Sequence, residues 1–289
     1  MLALYQDFVL TRQSAALARR GGTFTPSADD DTNRVIASYR FTNVFRVADW
    51  GSQFVVKELV GGGRPPHDVL ASLILYRLTN TTPPWEFYGV LQGRPPSHQD
   101  MVDGTVARVF REDWGRAVFG TAYATHVGTQ AKGANRLDFF VDLAAQATPA
   151  FAQEFHAGTP EERFRLLTTI PRIGDFLAMQ ILTDYGYGGN DCEDTFIVPG
   201  PGALRGAQLI SPDTPAKELI YELRDMWRDH PAPPQLPNGL PPSLMDVQNT
   251  LCEFQKFSRY YKGGRGTSYR VKHPDLPALV LPENWRTPK

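Results

Sequence analysis

Two adjacent carboxylates, Glu193 and Asp194, and a run of glycines share one stretch of this sequence, Leu166 to Gly206, LLTTIPRIGDFLAMQILTDYGYGGNDCEDTFIVPGPGALRG. Within it Pro171-Arg172-Ile173-Gly174 reads as a tight hairpin between two helices. Asp194, preceded by Glu193, follows Gly174 by twenty positions on a polar loop. A glycine-bearing hairpin can aim free backbone N–H groups at a phosphate. A carboxylate beyond it can stabilise cationic character at a sugar or accept a proton from an attacking group. Arg172, Ile173 and Gly174 are thus candidates for holding a phosphate, and Asp194 and Glu193 are candidate catalytic groups. An ordinary αα-hairpin stands as the alternative.

Three further sets of residues carry chemical potential. In Gly200-Pro201-Gly202-Ala203-Leu204-Arg205-Gly206, closely spaced glycines would let the backbone approach an anion, with Arg205 completing a phosphate pocket; a plain turn is the competing reading. Near the C-terminus, MDVQNTLCEFQKFSRYYK places Asp246, Asn249, Glu253, Lys256 and Tyr260 at three- and four-residue steps on one helix face. That stripe is either solvated or recognises a polar ligand, in which case Glu253 and Lys256 join the catalytic candidates and Asp246 and Asn249 the binding ones. The N-terminal third contributes Arg40, Thr42, Asn43 and Arg46, then Asn80 and Glu86. Arg40 and Arg46 are candidate phosphate ligands, while Trp85 and Tyr88 either stack on a base or fill the core.

The elements that position these residues read as helices. An initial helix ends at the polar break GGTFTPSADD. A second, capped by Asp31 or Thr32, is expected to continue through YRFTNVFRVADWGSQFVVKEL. DVLASLILYRLTN at 68–80 is a buried helix stopped by Thr-Thr-Pro-Pro. Short helices are expected from Trp85 to Leu91 and over 98–112, 114–126 and 137–147. EERFRLLTTI and FLAMQILTDYG flank the hairpin, 214–230 is amphipathic, and Ser243–Tyr261 forms the last helix. Strand patterns are rare and short. The expectation is an all-α chain with an N-terminal helix and linker at 1–30, a helical domain at 31–265 and a tail at 266–289.

Composition sets the outer limits. With 289 residues, 42% hydrophobic and 21% charged, the chain is long enough to bury a substantial core. No apolar run nears the roughly 20 residues that cross a bilayer, and no signal-peptide pattern opens the chain, so a cytoplasmic protein without a membrane partner is expected. The net charge of −1 weighs mildly against a nucleic-acid partner, although a local basic face including Arg34, Arg40 and Arg46 is compatible with it. Cys192 and Cys252 have no zinc spacing and read as reduced thiols. Neither a metal nor a cofactor is implied, and a monomer is expected.

The hairpin followed by Asp194 resembles the helix-hairpin-helix DNA glycosylases, in which the hairpin grips the DNA backbone and the aspartate faces a flipped nucleotide. Arg172 replaces the first glycine of that family's Pro-Gly-Ile/Val-Gly, and Asp175 adds a negative charge. Phe176 stands where bifunctional members carry a Schiff-base lysine. Read together, YRFTNVFRVADWGSQFVV, ILYRLTNTTPPWEF, IPRIGDFLAMQILTDYGYG, EDTFIVPGPGALRG and DVQNTLCEFQKFSRY resemble the helical domain family named for 5-hydroxymethyldeoxyuridine DNA kinases. That family belongs with the α-glutamyl/putrescinyl thymine pyrophosphorylases of DNA-hypermodifying bacteriophages. The resemblance spans roughly residues 35–265 and implies a glycosylase-like helical fold, in a bacterial cell or phage-infected host. Its implied partners are DNA containing modified pyrimidines and an amino acid or amine co-substrate that displaces pyrophosphate from a 5-hydroxymethyluracil derivative. It carries over onto Glu193, Asp194, Gly200, Gly202, Asp246, Asn249, Glu253 and Lys256. A GxxxxGK[ST] phosphate loop is missing from the sequence, so phosphorylation by that route is not expected. Excision of a modified base, in repair or against phage, and non-catalytic reading of modified DNA are the alternatives.

Overall fold

The computed structural model of the chain describes residues 1–20, 30–120, 135–189, 193–266 and 278–285. Among the described residues the chain is helical and contains no strand. Its α-helices run α1 Leu2–Arg20, α2 Asp31–Ser38, α3 Trp50–Phe54, α4 Pro66–Thr79, α5 Pro83–Gln92, α6 His98–Val102 and α7 Thr105–Arg108. They continue with α8 Asn135–Ala145, α9 Pro149–Ala157, α10 Pro160–Thr168, α11 Asp175–Gly186, α12 Pro201–Ile210, α13 Ala216–Asp229 and α14 Leu244–Tyr261. Two π-helical turns, Val55–Leu59 and Val109–Asp113, extend α3 and α7. The chain divides into two compact units. Unit 1 is Met1–Asp49, Glu193–Leu279 and Pro288–Lys289; unit 2 is Trp50–Cys192 and Val280–Thr287.

Unit 2 is organised around α4. Its sequence is apolar on every side, which suits a helix with no solvent face, and Val69 through Thr79 are all buried. Helices α6, α8, α9 and α11 pack against it. The buried charge on this helix, Arg77, meets Asp184 of α11 in a two-pronged ion pair whose second contact is 2.7 Å. Asn80 ends α4 in the left-handed conformation at φ 48°, a position that asparagine tolerates better than most residues.

The hairpin between α10 and α11 also lies in unit 2. Thr159 and Glu162 close a capping box at the start of α10. After Thr168 the chain turns through Ile173, whose N–H donates to the Ile170 carbonyl at 3.1 Å and whose side chain is buried. Gly174 then caps α11 in an extended conformation. Arg172 sits at φ 71°, the left-handed region where glycine is favoured. The turn therefore keeps a glycine-type backbone with arginine in it, at a cost of roughly 1 kcal/mol.

Unit 1 is built on α14. Ser243 caps it, with Asp246 returning the bond to the Ser243 N–H. Phe254 and Phe257 pack on Tyr5 and Phe8 of α1, with ring centroids 5.4 Å and 4.6 Å apart for Tyr5–Phe254 and Phe8–Phe257. Each such ring removed from water contributes roughly 1.5–3 kcal/mol. Helix α13 buries Leu219, Ile220, Leu223 and Trp227, a helical stripe, and packs on α14. Helix α12 approaches α14 most closely because Gly202 and Gly206 face it. A Cβ at Gly206 would lie 2.1 Å from the Leu251 carbonyl oxygen, and one at Gly202 would lie 2.3 Å from Cys252 Sγ.

Several local expectations are corrected. The second helix does not run through to Leu59: it ends at Ser38, and its cap is Asp30, which accepts from the Thr32 N–H at 2.8 Å. Residues 39–49 leave the helix because Asn43 bonds Asp49 and Ala48 instead of continuing a ladder. The helix expected over 98–112 breaks at Gly104, which has φ 77°. Residues 114–120 are non-helical, and the remainder of the 114–126 expectation lies outside the described residues. Two helices were not anticipated, α9 and α12. Both start with a proline in the first turn, a position where its missing N–H costs nothing.

Candidate functional site

The polar stripe of α14 is not solvated. Asp246, Glu253 and Tyr260 are buried and Asn249 and Lys256 half-buried, because the stripe packs against the 39–49 segment of the same unit. Glu253 Oε2 accepts from the Thr42 N–H at 3.2 Å and lies 2.6 Å from Lys256 Nζ. Thr42 Oγ1 donates to Asn249 Oδ1 at 3.3 Å, and Asn249 Nδ2 donates to the Asn43 carbonyl at 2.9 Å. Asn43 in turn donates through its backbone and its amide to Asp49 Oδ1, both at 2.8 Å. The arrangement is a continuous ladder from the loop to the last helix.

One residue of the ladder was missed at the level of sequence. Arg12 projects from α1 and donates through Nη2 to the Asn43 carbonyl, the same oxygen that Asn249 uses. Only 2% of the residue is exposed, and its Nε and Nη1 have no hydrogen-bond partner. Its guanidinium lies 5.2 Å from the Phe8 ring centroid. Burial lowers its pKa from the ordinary arginine value, opposed chiefly by the charges of Glu253 and Asp49. The signal for it was present: Tyr5, Phe8, Val9, Arg12 and Ala15 share one face of α1, and arginine is the only charge among them.

The remaining candidates fall into three settings. Asp194 braces the unit: it pairs with Arg224 at 3.3 Å and with Arg228, both on α13, and accepts from the Leu244 N–H at 3.2 Å. Glu193 is buried beside it, and its carbonyl accepts from the Met245 N–H at 3.1 Å. Asp246 accepts from the Arg46 N–H at 2.7 Å as well as from Ser243, yet burial pushes its carboxyl up to about 6. The Gly200–Gly206 segment is not a loop but the start of α12. Gly200 donates its N–H to Gln248 Oε1 at 3.0 Å, and Gly202 and Gly206 are where α14 comes close. The side chains of Arg40 and Arg205 are exposed and make no hydrogen bond or ion pair among the described residues, whereas Arg46 is buried.

Arg172, Ile173 and Gly174 belong to unit 2 and are described there by themselves. Trp85 and Tyr88 are core residues of that unit, with at most 2% exposed, so neither presents a face for stacking. Cys252 is a free thiol whose pKa is raised by burial; Cys192 lies outside the described residues. No group of three or more potential metal ligands occurs among the described residues, and none of their helices is long and apolar enough to cross a membrane.

No match was found among curated proteins or among solved structures. The family model described as the 5-hmdU DNA kinase helical domain matches residues 1–264, nearly the whole chain. Its name ties the helical chain to modification of DNA at hydroxymethyluracil, with DNA carrying the modified base as substrate. The protein belongs to the 5-hmdU DNA kinase helical-domain family.

Proposed function

We propose that the Arg12–Glu253–Lys256 ladder of unit 1 is the reaction site of a DNA-base hypermodification enzyme. Its substrate is a 5-hydroxymethyluracil in DNA whose hydroxyl carries pyrophosphate. An amine nitrogen attacks the 5-methylene carbon and forms the new C–N bond. The C–O bond breaks with its electron pair on the departing pyrophosphate, and the proton lost by nitrogen passes to Glu253. Arg12, Lys256 and the exposed Arg205 offset the charge growing on the leaving group. Arg40 takes a DNA phosphate, and the Arg172–Gly174 turn a second stretch of backbone.

The observation that carries this reading is Arg12: a buried guanidinium with two donors unmatched, beside a glutamate–lysine pair. Buried donors without partners are uncommon and cluster where a ligand, ion or water completes them. Asp194, with both oxygens engaged by Arg224, Arg228 and Leu244, serves as a positioning residue that holds α13 to the start of α14. Asn249 does the same for the Thr42–Asn43 loop. Asp246 and Arg46 fix the end of that loop, and Glu193, Gly200 and Gly202 fix the neighbours of α14.

The test is incubation of the protein and an amine with duplex DNA bearing pyrophosphorylated 5-hydroxymethyluracil, followed by digestion and mass analysis of nucleosides. An amine adduct with pyrophosphate release is expected. Glu253→Gln, which preserves the acceptor for Thr42, should slow it roughly 10²–10³-fold. Abasic sites instead of adducts would replace this reading with base excision, and full activity in Glu253→Gln would remove Glu253 from the chemistry.

A further inference from the structure

Helix α14 ends in positive charge that no carboxylate among the described residues matches. From Phe254 to Gly266 the sequence has no acidic residue, and Lys256, Arg259, Lys262 and Arg265 recur every third position. Lys256 is held by Glu253. Arg259, Lys262 and Arg265 are exposed and form no ion pair among the described residues, and the same holds for Arg40. Exposed arginines elsewhere are treated differently: Arg34, Arg94, Arg108, Arg111 and Arg228 each meet an aspartate.

The local packing gathers these charges at one end of unit 1. The Tyr39 ring stacks on that of Tyr260, with centroids 4.2 Å apart, and so brings the following residue, Arg40, to the end of α14. The Arg259 guanidinium lies 4.9 Å from the Tyr260 ring centroid and donates to the Tyr260 hydroxyl at 3.1 Å. Beyond the helix the chain reverses through Gly263, at φ 86°, and the Gly264 N–H donates to the Arg259 carbonyl at 2.9 Å. Gly264 and Gly266 then pack so closely that a Cβ on either would clash, with Arg259 and with the Tyr260 ring respectively. Arg265, between them, is returned to the same end.

The helix macrodipole accounts for cations in the last turn of α14. It does not account for Arg40, which arrives from another segment, or for Arg265, which lies past the turn. A chain whose net charge is −1 thus concentrates four unpaired cations on one edge. Tyr261, 40% exposed with its ring held 5.4 Å from that of Phe257, sets an aromatic face among them. Cations interleaved with an exposed ring suit a nucleic-acid strand, whose phosphates take the charges and whose sugars and bases take the ring. An acidic peptide would use the charges alone. The hairpin of unit 2 offers less, since Arg172 is its one cation and Asp175 follows three positions later.

We infer that the C-terminal end of α14, with Arg40, Arg259, Lys262 and Arg265, is the main DNA-backbone contact of this protein, ahead of the hairpin. The inference concerns how any DNA is held, modified or not, and stands whether or not the ladder carries out transfer.

Fluorescence anisotropy of a short unmodified duplex, titrated with the full chain at about 50 to about 200 mM KCl, tests it. The variant R40Q/K262Q/R265Q removes three side chains that make no hydrogen bond or ion pair among the described residues. It should bind about 10²-fold more weakly at about 0.1 M salt, with a log–log salt slope shallower by about 2 to 3. R172Q should change that slope by about 1 or less. Polyglutamate at equal charge should displace the duplex roughly tenfold less well than unlabelled DNA does. An unchanged slope in R40Q/K262Q/R265Q, a loss in R172Q as large as in the triple variant, or equal displacement by polyglutamate would overturn the inference. Adduct formation on modified DNA is a separate readout: its absence with this binding intact would count against the ladder and not against this surface.

Discussion

Arg77 in unit 2 and Arg12 in unit 1 are buried to nearly the same degree, 5% and 2% exposed, and are treated in opposite ways. Arg77 meets Asp184 with two donors, the geometry in which a guanidinium and a carboxylate match best. Arg12 gives one donor to a backbone carbonyl and leaves Nε and Nη1 without partners, while Glu253, the opposing charge that acts on it most, is already shared with Lys256 and Thr42. A pair sealed in this way clamps α4 to α11. A buried charge left incomplete costs stability, and such a cost is retained where something else completes it.

The contrast can be broken most forcefully from the unit 2 side. Asp184→Ala takes the carboxylate away from a buried guanidinium and should cost about 3–5 kcal/mol, read from the denaturant midpoint. Arg12→Met should do the reverse. It removes an under-satisfied charge, so stability should change by less than about 1 kcal/mol, while the rate of adduct formation on modified DNA should fall about 10²-fold. Equal destabilisation by the two substitutions would erase the distinction between them.

A third buried ionisable group sharpens it. The Asp246 carboxyl is pushed up from 3.8 to about 6 by burial, despite hydrogen bonds from Arg46 and Ser243. Between those values the folded chain holds a proton that the unfolded chain has released, so Asp246 lowers stability as the pH rises from about 4 to about 6, and its effect is level above that. Two pKa units correspond to roughly 3 kcal/mol. Urea unfolding of the wild type and Asp246→Asn across this window should show the variant lacking that decline; parallel profiles would show that Asp246 does not carry it. The smallest effect belongs to the hairpin. Arg172→Gly relieves the left-handed arginine, and thermal unfolding should show a gain of up to about 1 kcal/mol, less the entropy glycine adds to the unfolded chain. A loss would mean that the arginine side chain repays its strain.

How much was legible depended on what each residue needed. Helix α4 could be read because an all-round apolar sequence has one stable disposition, a buried one. The last helix could be read from its cap and period. The hairpin could be read from Pro171 and Gly174, although not that Arg172 would adopt the glycine conformation. The Gly200–Gly206 segment was expected as a loop or turn rather than the start of a helix, because closely spaced glycines serve both for anion approach and for helix–helix approach, and only the position of α14 shows the second use. The polar face of α14 presented the same ambiguity, since a spacing of three and four is identical whether water, a ligand or the chain's own loop lies opposite.

The sequence by itself determined the all-α class, most of the helices and the stripe of α14, because these follow from local periodicity, capping and burial, which operate over a few residues. Tertiary structure alone decided that Arg12 meets Asn43 near Glu253, that Asp194 is committed to Arg224 and Arg228, and that Arg77 is sealed by Asp184. Those partnerships join residues far apart in the chain, and the energy of a charge depends on what surrounds it once water has been removed.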